Sequence, residues 1–261
     1  MPTLASARLV PSFVSVQICE TMTKYTIKLN ERREVAEGTM AFHLEKPPGF
    51  QFKAGQYMNV TLIDPPETDA EGNTRSFSIS SAPFEADLVV ATRMRDTAFK
   101  RVFRTLSLRS EVRISGPFGS FTLHTDASRP AVFLVGGIGI TPFRSIILQA
   151  AKDKLAQKLY LFYSNRRPED AAFLDELQKV ENQNPNYKFI GTMTDMRKSQ
   201  RPWQAETGHI TPQMVTKWIR DLKGPIYYTA GPPGMVAAMR QILTTSGIGD
   251  DDIRTEEFTG Y

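Results

Sequence analysis

The chain has 261 residues, of which 41% are hydrophobic and 23% charged, and its formal net charge is +4. This length allows one large domain or two ordinary ones, with enough apolar residues for buried cores. The single cysteine, Cys19, excludes an internal disulfide, and it excludes a zinc site or iron–sulfur cluster held by cysteines of this chain alone.

Several other classes of partner are disfavoured. Lys and Arg form no dense block of the kind that binds nucleic acid, and no apolar run approaches the ~20 residues of a membrane span. His43, His124 and His209 are scattered without metal-ligand spacing, and the motifs of serine hydrolases and P-loop kinases are absent. We expect a monomeric cytoplasmic protein that binds no metal, no nucleic acid and no membrane, and the mild positive charge favours an acidic partner.

Residues 1–24 have weak periodicity and are interrupted by Pro11. A signal peptide would need a longer apolar core, so we interpret this segment as a leader that is disordered or loosely docked. A second interpretation is that the natural protein starts at Met22, just before the first strand pattern, and that residues 1–21 come from an over-long gene prediction.

Residues 25–126 contain short stretches of alternating apolar and polar residues separated by turn signals. This spacing predicts a domain of six or seven antiparallel strands, arranged as a β-barrel or sandwich. The predicted strands are 25–29, 39–44, 57–63, 76–80, 87–94, 111–115 and 120–123. The exception is the segment Thr97 to Leu106, whose spacing is helical and whose Thr97 suits an N-cap.

The stretch AVFLVGGIGITPFRSII at residues 131–147 predicts a buried strand, a glycine turn and a helix. The turn contains Gly136, Gly137 and Gly139, Thr141 is a good N-cap, and Pro142 suits a first helical turn. A diphosphate could approach such a backbone and the N–H groups of the following helix closely. The pattern is not G-x-G-x-x-G, because Pro142 replaces the third glycine, so an ordinary βα turn explains it equally well.

Residues 127–261 alternate between strand and helix patterns after a break at 127–130. The strands are predicted at 131–135, 158–163, 187–193 and 225–230, with helices starting near residues 142, 168, 211 and 234. This order predicts an α/β domain with a doubly wound parallel sheet, whose ligands sit at the carboxyl ends of the strands. Those ends carry the glycine turn and the segments 163–167, 194–195 and 230–233.

Four blocks in order carry a family resemblance. They are Arg75-Ser-Phe-Ser78, Gly116-Pro-Phe-Gly119, Gly136-Gly-x-Gly-x-Thr-Pro142 and Gly231-Pro-Pro-x-Met235. Together they resemble the ferredoxin–NADP reductase superfamily and span almost all of the chain after residue 24. The resemblance implies a flavin-binding barrel followed by a pyridine-nucleotide-binding domain, with FAD as cofactor and NADH or NADPH as co-substrate.

By this resemblance, Arg75 pairs with the flavin diphosphate, Phe77 stacks on the isoalloxazine ring, and Ser78 hydrogen-bonds the flavin N5. A guanidinium fork matches phosphate oxygens well. For Phe118, core packing is as good an explanation as a cofactor contact. The remaining flavin-site residues implied by the family are Ser76, Ala91, Thr92, Arg93, Met94, Thr97, Gly116, Phe118 and Gly119.

The same resemblance assigns the nucleotide diphosphate to the glycine turn (Gly136, Gly137, Gly139) with Thr141 and Pro142, and it places Gly231, Pro232 and Met235 beside the nicotinamide. Arg166 could attract the 2′-phosphate of NADPH, whereas Asp195 could bind a free ribose hydroxyl and repel that phosphate. The choice of nucleotide stays open, with a slight preference for NADH because Asp195 is acidic.

The last strand, which contains Glu256, resembles the closing Glu-x-Phe of the family, and this implies that Glu256 lies near Ser78 as a catalytic residue. Tyr261 either covers the flavin or belongs to a frayed tail. The expected activity is electron transfer from NAD(P)H through FAD to an external acceptor, which is a ferredoxin, a flavodoxin or an oxygenase component. The alternatives are a flavin or quinone reductase with a diffusible acceptor and a non-catalytic subunit that binds a partner.

Overall fold

A computed structural model describes residues 23–258. The predictions for the leader and for Tyr261 therefore lie outside the described residues, except that Lys24 already belongs to the first strand. The first six strands form one antiparallel sheet in the order β4-β3-β6-β1-β2-β5. Their bounds are β1 Lys24–Ala36, β2 Thr39–Glu45, β3 Tyr57–Leu62, β4 Thr74–Ser78, β5 Asp87–Arg93 and β6 Glu111–Phe118.

This sheet curls until its two edge strands meet. Just beyond β4, the N–H of Ser80 donates to the carbonyl of Val89 in β5 at 2.8 Å. The N–H of Val89 in turn donates to the hydroxyl of Ser81 at 2.9 Å. Because these bonds join the edges, the sheet forms a barrel around a core that contains Phe42, Val60 and other apolar side chains. The predicted antiparallel barrel is confirmed.

One helix packs against the barrel. Helix α1 (Ala98–Thr105) begins after Thr97, whose side chain accepts from the N–H of Lys100, as the sequence predicts. Its buried face includes Phe99 and Phe103, and the Phe103 ring stacks on Phe42 with centroids 3.8 Å apart. The helix begins shortly after β5 ends at Arg93, so its N-terminus follows the end of that strand.

The second sheet is parallel, in the order β10-β9-β8-β7-β11-β12. Its strands are β7 Ala131–Gly136, β8 Leu159–Asn165, β9 Tyr187–Met193, β10 Glu206–Thr207, β11 Ile226–Gly231 and β12 Ile253–Glu257. Its helices are α2 Ile140–Lys152, α3 Leu174–Lys179, α4 Pro212–Trp218 and α5 Pro233–Thr245. Consecutive strands pair outward from β7 to β8 and β9, whereas β11 pairs on its other side, so the strand order reverses between β7 and β11. The predicted doubly wound parallel sheet is confirmed.

The helix predicted near residue 168 begins later than expected. Residues Pro168–Asp170 form a 3₁₀ turn, and Phe173 has a left-handed backbone with φ of 59°. A side chain in that conformation interrupts a right-handed helix, so α3 starts only at Leu174.

The predicted strand at residues 120–123 is also wrong. This segment belongs to the connection between the domains, and the N–H of Thr122 donates to the carbonyl of Ser120 at 2.8 Å. The ring of Phe121 packs at its edge against Phe143 and Tyr228, with centroids 5.5 and 5.6 Å away. The alternating pattern at residues 120–123 therefore arises from packing between the domains. These residues do not pair with a strand.

One apolar cluster contains residues of both domains. The outer face of the barrel contributes Ala41, Val89 and Ala91 to the cluster that also contains Ile138 and Phe143 of the second domain. Burial of this apolar surface holds the barrel against the parallel sheet at the carboxyl end of β7. The boundary at residue 127 stays a prediction.

We expect Gly139→Ala to destabilise the protein by about 2 kcal/mol or more, a typical cost of overpacking a tight core. A Cβ at this position would lie 2.3 Å from the carbonyl oxygen of Ala230, and backbone cannot move aside as a flexible side chain can. Denaturation by urea measures the change.

Gly234→Ala is the matched control, because a Cβ there meets nothing within 4 Å and alanine favours a helix. Equal unfolding midpoints for the two variants would contradict the tight packing at Gly139.

Candidate functional site

The interface between the two domains, here called the mouth, brings segments of the sequence motifs together. On the barrel side lies the segment that follows Ser78, and on the other side lie the glycine turn and the ends of β11 and β12. The hydroxyl of Ser145 in α2 donates to the carbonyl of Ser81 at 2.7 Å, so the helix after the glycine turn touches the segment after Ser78. The segment after Ser78 and the helix after the glycine turn are therefore neighbours in space.

The glycine turn forms the base of the nucleotide side. Residues Gly137–Gly139 make a 3₁₀ turn that runs directly into α2, and Gly137 has φ of 53°. Thr141 does not act as the N-cap, contrary to its predicted capping role, because the helix already begins at Ile140. Its buried hydroxyl donates to the carbonyl of Ile138 at 3.1 Å, and Pro142 lies in the first turn as predicted.

The end of β11 packs directly onto this turn. A Cβ on Gly136 would lie 2.1 Å from the sulfur of Met235, so Met235 fills the space that the glycine leaves. Gly231 has φ of 155° and lies against the backbone of Gly136, and Pro232 precedes α5 as its N-cap residue. The two loops, here called the glycine cradle, therefore pack backbone to backbone, with the Met235 side chain against Gly136.

The guanidinium of Arg75 lies on the barrel side and is held by the preceding loop. It donates to Asp69 at 2.8 Å, pairs with Glu71 at 3.1 Å and lies 5.3 Å from the centroid of the Phe99 ring. These bonds fix its position close to the N-terminus of α1. A diphosphate that binds here has to replace the two carboxylates.

The rest of β4 alternates between two environments. The half-buried Phe77 ring lies 5.8 Å from Phe99 and 6.4 Å from Phe103, so it packs at the rim of the barrel core. The exposed Ser76 hydroxyl donates to Asn59 at 2.6 Å. Ser78 is buried at the end of β4, opposite Tyr57 of β3.

Strand β5 presents backbone groups to the mouth. Its residues Ala91, Thr92 and Arg93 pair on one side with β2, and the N–H of Met94 donates to the carbonyl of Gly38 at 2.8 Å. The backbone N–H and C=O groups of Val89 both point to the edge of β5 that faces Ser80. Because alternate residues of a strand point their N–H and C=O groups to the same edge, those of Ala91 face that edge as well.

The turn after β6 completes the barrel side. Gly116 and Gly119 have φ of 143° and 87°, and the Phe118 ring lies 5.5 Å from the Tyr57 ring. A Cβ on Gly119 would lie 3.0 Å from the same Tyr57 ring. Tyr57 therefore organises this turn, although the sequence analysis did not single it out.

A charged cavity of about 700 Å³ lies next to the nucleotide side. Its acidic groups are partly neutralised: Arg197 binds both oxygens of Asp195 at 2.7 and 2.8 Å, and this hydrogen bonding lowers the pKa of Asp195 to about 2. Arg166 is exposed at the end of β8. The lining residues are Glu37, Arg93, Arg166, Arg167, Asp170, Asp195, Arg197 and Lys198.

Glu256 carries an unusual carboxyl group at the end of β12. Its strand position pairs with Ala230, whose carbonyl oxygen touches Gly139. One buried oxygen, Oε2, has no hydrogen-bond partner within residues 23–258, and burial raises the pKa of Glu256 to about 7. The group can therefore exchange a proton near neutral pH, and its predicted contact with Ser78 stays a prediction.

The site contains further residues that the sequence analysis did not single out. Asn165 ends β8 and is 6% exposed, and neither of its side-chain amide atoms has a partner in the described part of the chain. The signal for it in the sequence is its place in the segment 163–167, at the predicted carboxyl end of a strand, although no individual role is predicted for it. The unpartnered atoms of Asn165 and Glu256, and the glycine cradle between them, fit a ligand rich in polar groups, such as a dinucleotide.

Comparisons with known proteins agree with this geometry. Residues 133–241 match the family described as oxidoreductase NAD-binding domain. Reductase component 2 of terephthalate 1,2-dioxygenase from Comamonas sp is 25% identical over 243 residues, which cover 92% of this chain and 69% of the relative. The reductase component of propane 2-monooxygenase from Rhodococcus jostii is 26% identical over 82% of this chain, which spans only 57% of that protein.

Among solved structures, the ferredoxin NADP+ reductase from Neisseria gonorrhoeae with bound FAD and NADP has a TM-score of 0.73. It is 19% identical, and the match covers 90% of this chain and 98% of that chain. At this identity the likeness supports the fold, a barrel followed by a parallel sheet.

The fold and the comparisons together identify an oxidoreductase that uses FAD and NAD(P)H. Residues 133–241 match the oxidoreductase NAD-binding domain family, and the fold of the chain is similar to that of a ferredoxin NADP+ reductase. The predicted fold class and cofactors are confirmed, and the comparisons bear out the predicted family resemblance. The individual roles of the site residues stay predictions. Within residues 23–258, no helix is long and apolar enough to cross a membrane.

We predict that Glu256→Gln changes how stability depends on pH. The pKa of Glu256 in the folded protein, about 7, lies above the ordinary value of 4.5. At low pH the carboxyl is protonated in both the folded and the unfolded state. As the pH rises, the unfolded state releases its proton first, so the stability of the folded protein falls until the pH has passed through about 7. The neutral glutamine does not suffer this loss. Relative to the wild type, the variant should gain about 1–2 kcal/mol between pH 5 and pH 8, allowing for partial exposure.

Urea denaturation at the two pH values measures this difference. Glu257→Gln, at the exposed next position of β12, is the control and should not alter the pH dependence. The same pH dependence in Glu256→Gln and the wild type would contradict the assignment.

Proposed function

We propose that this protein takes electrons from a reduced pyridine nucleotide and passes them through FAD to an external acceptor. The observation that carries the proposal is the juxtaposition at the mouth: the segment after Ser78 is bonded to the helix that follows the glycine turn. A flavin ring beside Ser78 and a nicotinamide beside Gly231 would then meet face to face. When bound, FAD would supply the chemistry that accepts a hydride and releases electrons singly.

Each side of the mouth would hold one cofactor. On the barrel side, Arg75 and the N-terminus of α1 would bind the FAD diphosphate, Phe77 would support the ring, and Ser78 would bond its reactive edge. The turn from Gly116 to Gly119 and the free edge of β5 would orient the ring system with backbone groups.

On the other side, the glycine turn and the start of α2 would bind the nucleotide diphosphate through backbone N–H groups. The buried Asn165 would use its unpartnered amide on the nucleotide sugar. Glu256, with its pKa near 7, would hold or release a proton beside the contact between the two rings.

The external acceptor that we propose is a ferredoxin, a flavodoxin or an oxygenase component. The support comes from the names of relatives, which include reductase components of a dioxygenase and a monooxygenase, and from the net charge of +4, which suits an acidic carrier. We propose a cytoplasmic location, where NADH and NADPH are formed.

The proposal is tested by anaerobic titration of the purified protein loaded with FAD. We expect NADH or NADPH to bleach the flavin absorbance stoichiometrically, and we expect the reduced protein to be reoxidised faster by ferredoxin, flavodoxin or an oxygenase component than by quinone or free flavin. Arg75→Gln should raise the Kd for FAD about 10- to 100-fold, the effect of losing a charge-assisted bond to phosphate.

Arg101→Gln is the control for Arg75, because Arg101 also pairs with carboxylates on the same domain, Glu67 and Asp96, and should leave the Kd for FAD unchanged. Faster reoxidation by quinone would favour the diffusible-acceptor alternative. A colourless protein that cannot be loaded with flavin would favour the partner-binding alternative.

We further predict that Asp195 disfavours NADPH. Asp195→Asn removes a carboxylate from the charged cavity and releases Arg197 for a 2′-phosphate. The ratio of kcat/KM for NADPH to that for NADH should rise about 10-fold, equal to roughly 1.4 kcal/mol. Steady-state kinetics with both nucleotides measures this ratio.

Asp175→Asn is the matched control, since Asp175 pairs with Arg201 at 2.7 Å and does not line this cavity. An unchanged ratio in Asp195→Asn would remove Asp195 from nucleotide selection.

A further inference from the structure

Arg144 is a buried cation at the interface between the two domains, and this interface around Arg144 is here called the seam. It lies on α2, five residues after the last glycine of the turn, and is 3% exposed. An arginine stays charged at every physiological pH, and burying a charge is costly unless partners surround it. The partners of Arg144 therefore indicate what its burial achieves.

All five N–H groups of the guanidinium are used. Nε and Nη2 each donate to the Glu176 carboxylate at 2.7 Å. Nη1 donates to Glu85 at 3.0 Å and Nη2 donates to the other oxygen of Glu85 at 3.2 Å. The remaining bond runs from Nη1 to the carbonyl of Ser80 at 2.8 Å.

These partners belong to both domains. Glu176 is on α3 beside Arg144 in the nucleotide domain, whereas Ser80 and Glu85 belong to the barrel. Glu85 also accepts from the N–H of Ala82 at 2.6 Å, which ties the loop after β4 together. The plane of the guanidinium lies 4.9 Å from the centroid of the Phe173 ring, so its orientation is fixed as well.

We call Arg144 with its partners Ser80, Glu85 and Glu176 the clamp. Only short segments of chain separate the clamp from each of the two subsites. Ser80 lies two residues after Ser78, and Arg144 lies on the helix that the glycine turn begins. A shift of Arg144 would therefore move the flavin side relative to the nucleotide side. Hydride transfer between two stacked rings is sensitive to such shifts, since a displacement of about 1 Å can lower the rate roughly 10²-fold.

We infer that Arg144 is a positioning residue that sets the spacing between the flavin and the nicotinamide by clamping Ser80 and Glu85 to helix α2. The inference rests on the proposed function. If Arg144 only stabilised the fold, its replacement would lower the resistance to unfolding without altering how the two rings meet. If Arg144 is a positioning residue, its replacement changes the rate of flavin reduction while the Kd for the nucleotide stays constant.

The test compares Arg144→Lys and Arg144→Met with Arg129→Met in the full chain. Arg129 is the matched control, because its guanidinium likewise bonds both carbonyl and carboxylate groups, those of Gly224, Pro225 and Asp252, but all within the nucleotide domain. Lysine keeps the charge of Arg144, but its three N–H groups on one atom cannot make the five bonds of the planar guanidinium.

Two kinds of measurement are made. Stopped-flow absorbance follows reduction of the FAD-loaded protein at saturating NADH or NADPH, together with the long-wavelength band of stacked nicotinamide and flavin. Amide hydrogen exchange on the FAD-free protein reports the seam directly, in peptides that cover residues 79–86 and 140–147.

We expect both Arg144 variants to reduce flavin about 10- to 100-fold more slowly than wild type, with a nucleotide Kd changed less than threefold and a weakened long-wavelength band. Both seam peptides should exchange faster. Arg129→Met should keep the reduction rate, the absorbance band and the seam exchange of wild type, even where its unfolding midpoint falls.

Glu85→Gln keeps the inference testable if the Arg144 variants fail to fold. It weakens only the cross-domain half of the clamp and should slow reduction more than Glu176→Gln, which weakens the half inside the nucleotide domain. Wild-type rate, absorbance band and seam exchange in Arg144→Lys or in Glu85→Gln would overturn the inference.

The two proposals fail in different ways. If neither nucleotide reduces the wild-type flavin, the proposed function is wrong. If the wild type is reduced normally and the Arg144 variants match Arg129→Met in every measurement, only the positioning role is wrong.

Discussion

The close contact of two backbones at the carboxyl ends of β7 and β11 is the constraint on which the rest of the structure depends. Gly139 leaves no room for a Cβ against Ala230, and the backbone of Gly231 lies against that of Gly136. The strand order of the parallel sheet reverses at this point, and crevices at such switch points are where ligands bind in open α/β sheets. The glycines thus allow the two backbones to pack together where the domains meet.

The barrel is held against this surface by both apolar and ionic contacts. Small residues on its outer face, Ala41 and Ala91, let β2 and β5 approach the turn closely and join its core. Arg144 adds a polar clamp inside this seam, and each of its donors has an acceptor. Burial of the arginine is tolerable because two carboxylates surround it, and together the contacts give the domains one relative orientation.

Residue patterns predict the structure correctly where the local pattern and the tertiary environment agree. The parallel strands were recognised because both faces of a strand such as Ala131–Gly136 are buried, which leaves a continuous apolar run. Thr97 was recognised as an N-cap because its bond to Lys100 spans only three residues. Motif order then suggested the family, and the comparisons confirmed it.

The errors occurred where distant contacts override the local pattern. Phe121 alternates like a strand residue but packs between Phe143 and Tyr228, and Thr141 resembles an N-cap in a helix that already begins one residue before it. The left-handed Phe173 delays α3 and lies over the guanidinium of Arg144. No local signal in the sequence marks such a contact.

By itself, the sequence determined the two domains, their strand patterns and the glycine motifs, because these follow from residue periodicity and from the steric needs of short segments. Only the tertiary structure decided which charges are paired, that the carboxyl of Glu256 has a buried oxygen without a partner, and that Arg144 joins residues separated by about sixty positions. The physical reason is that pairing and burial depend on which groups the fold brings into contact, and these groups are far apart along the chain.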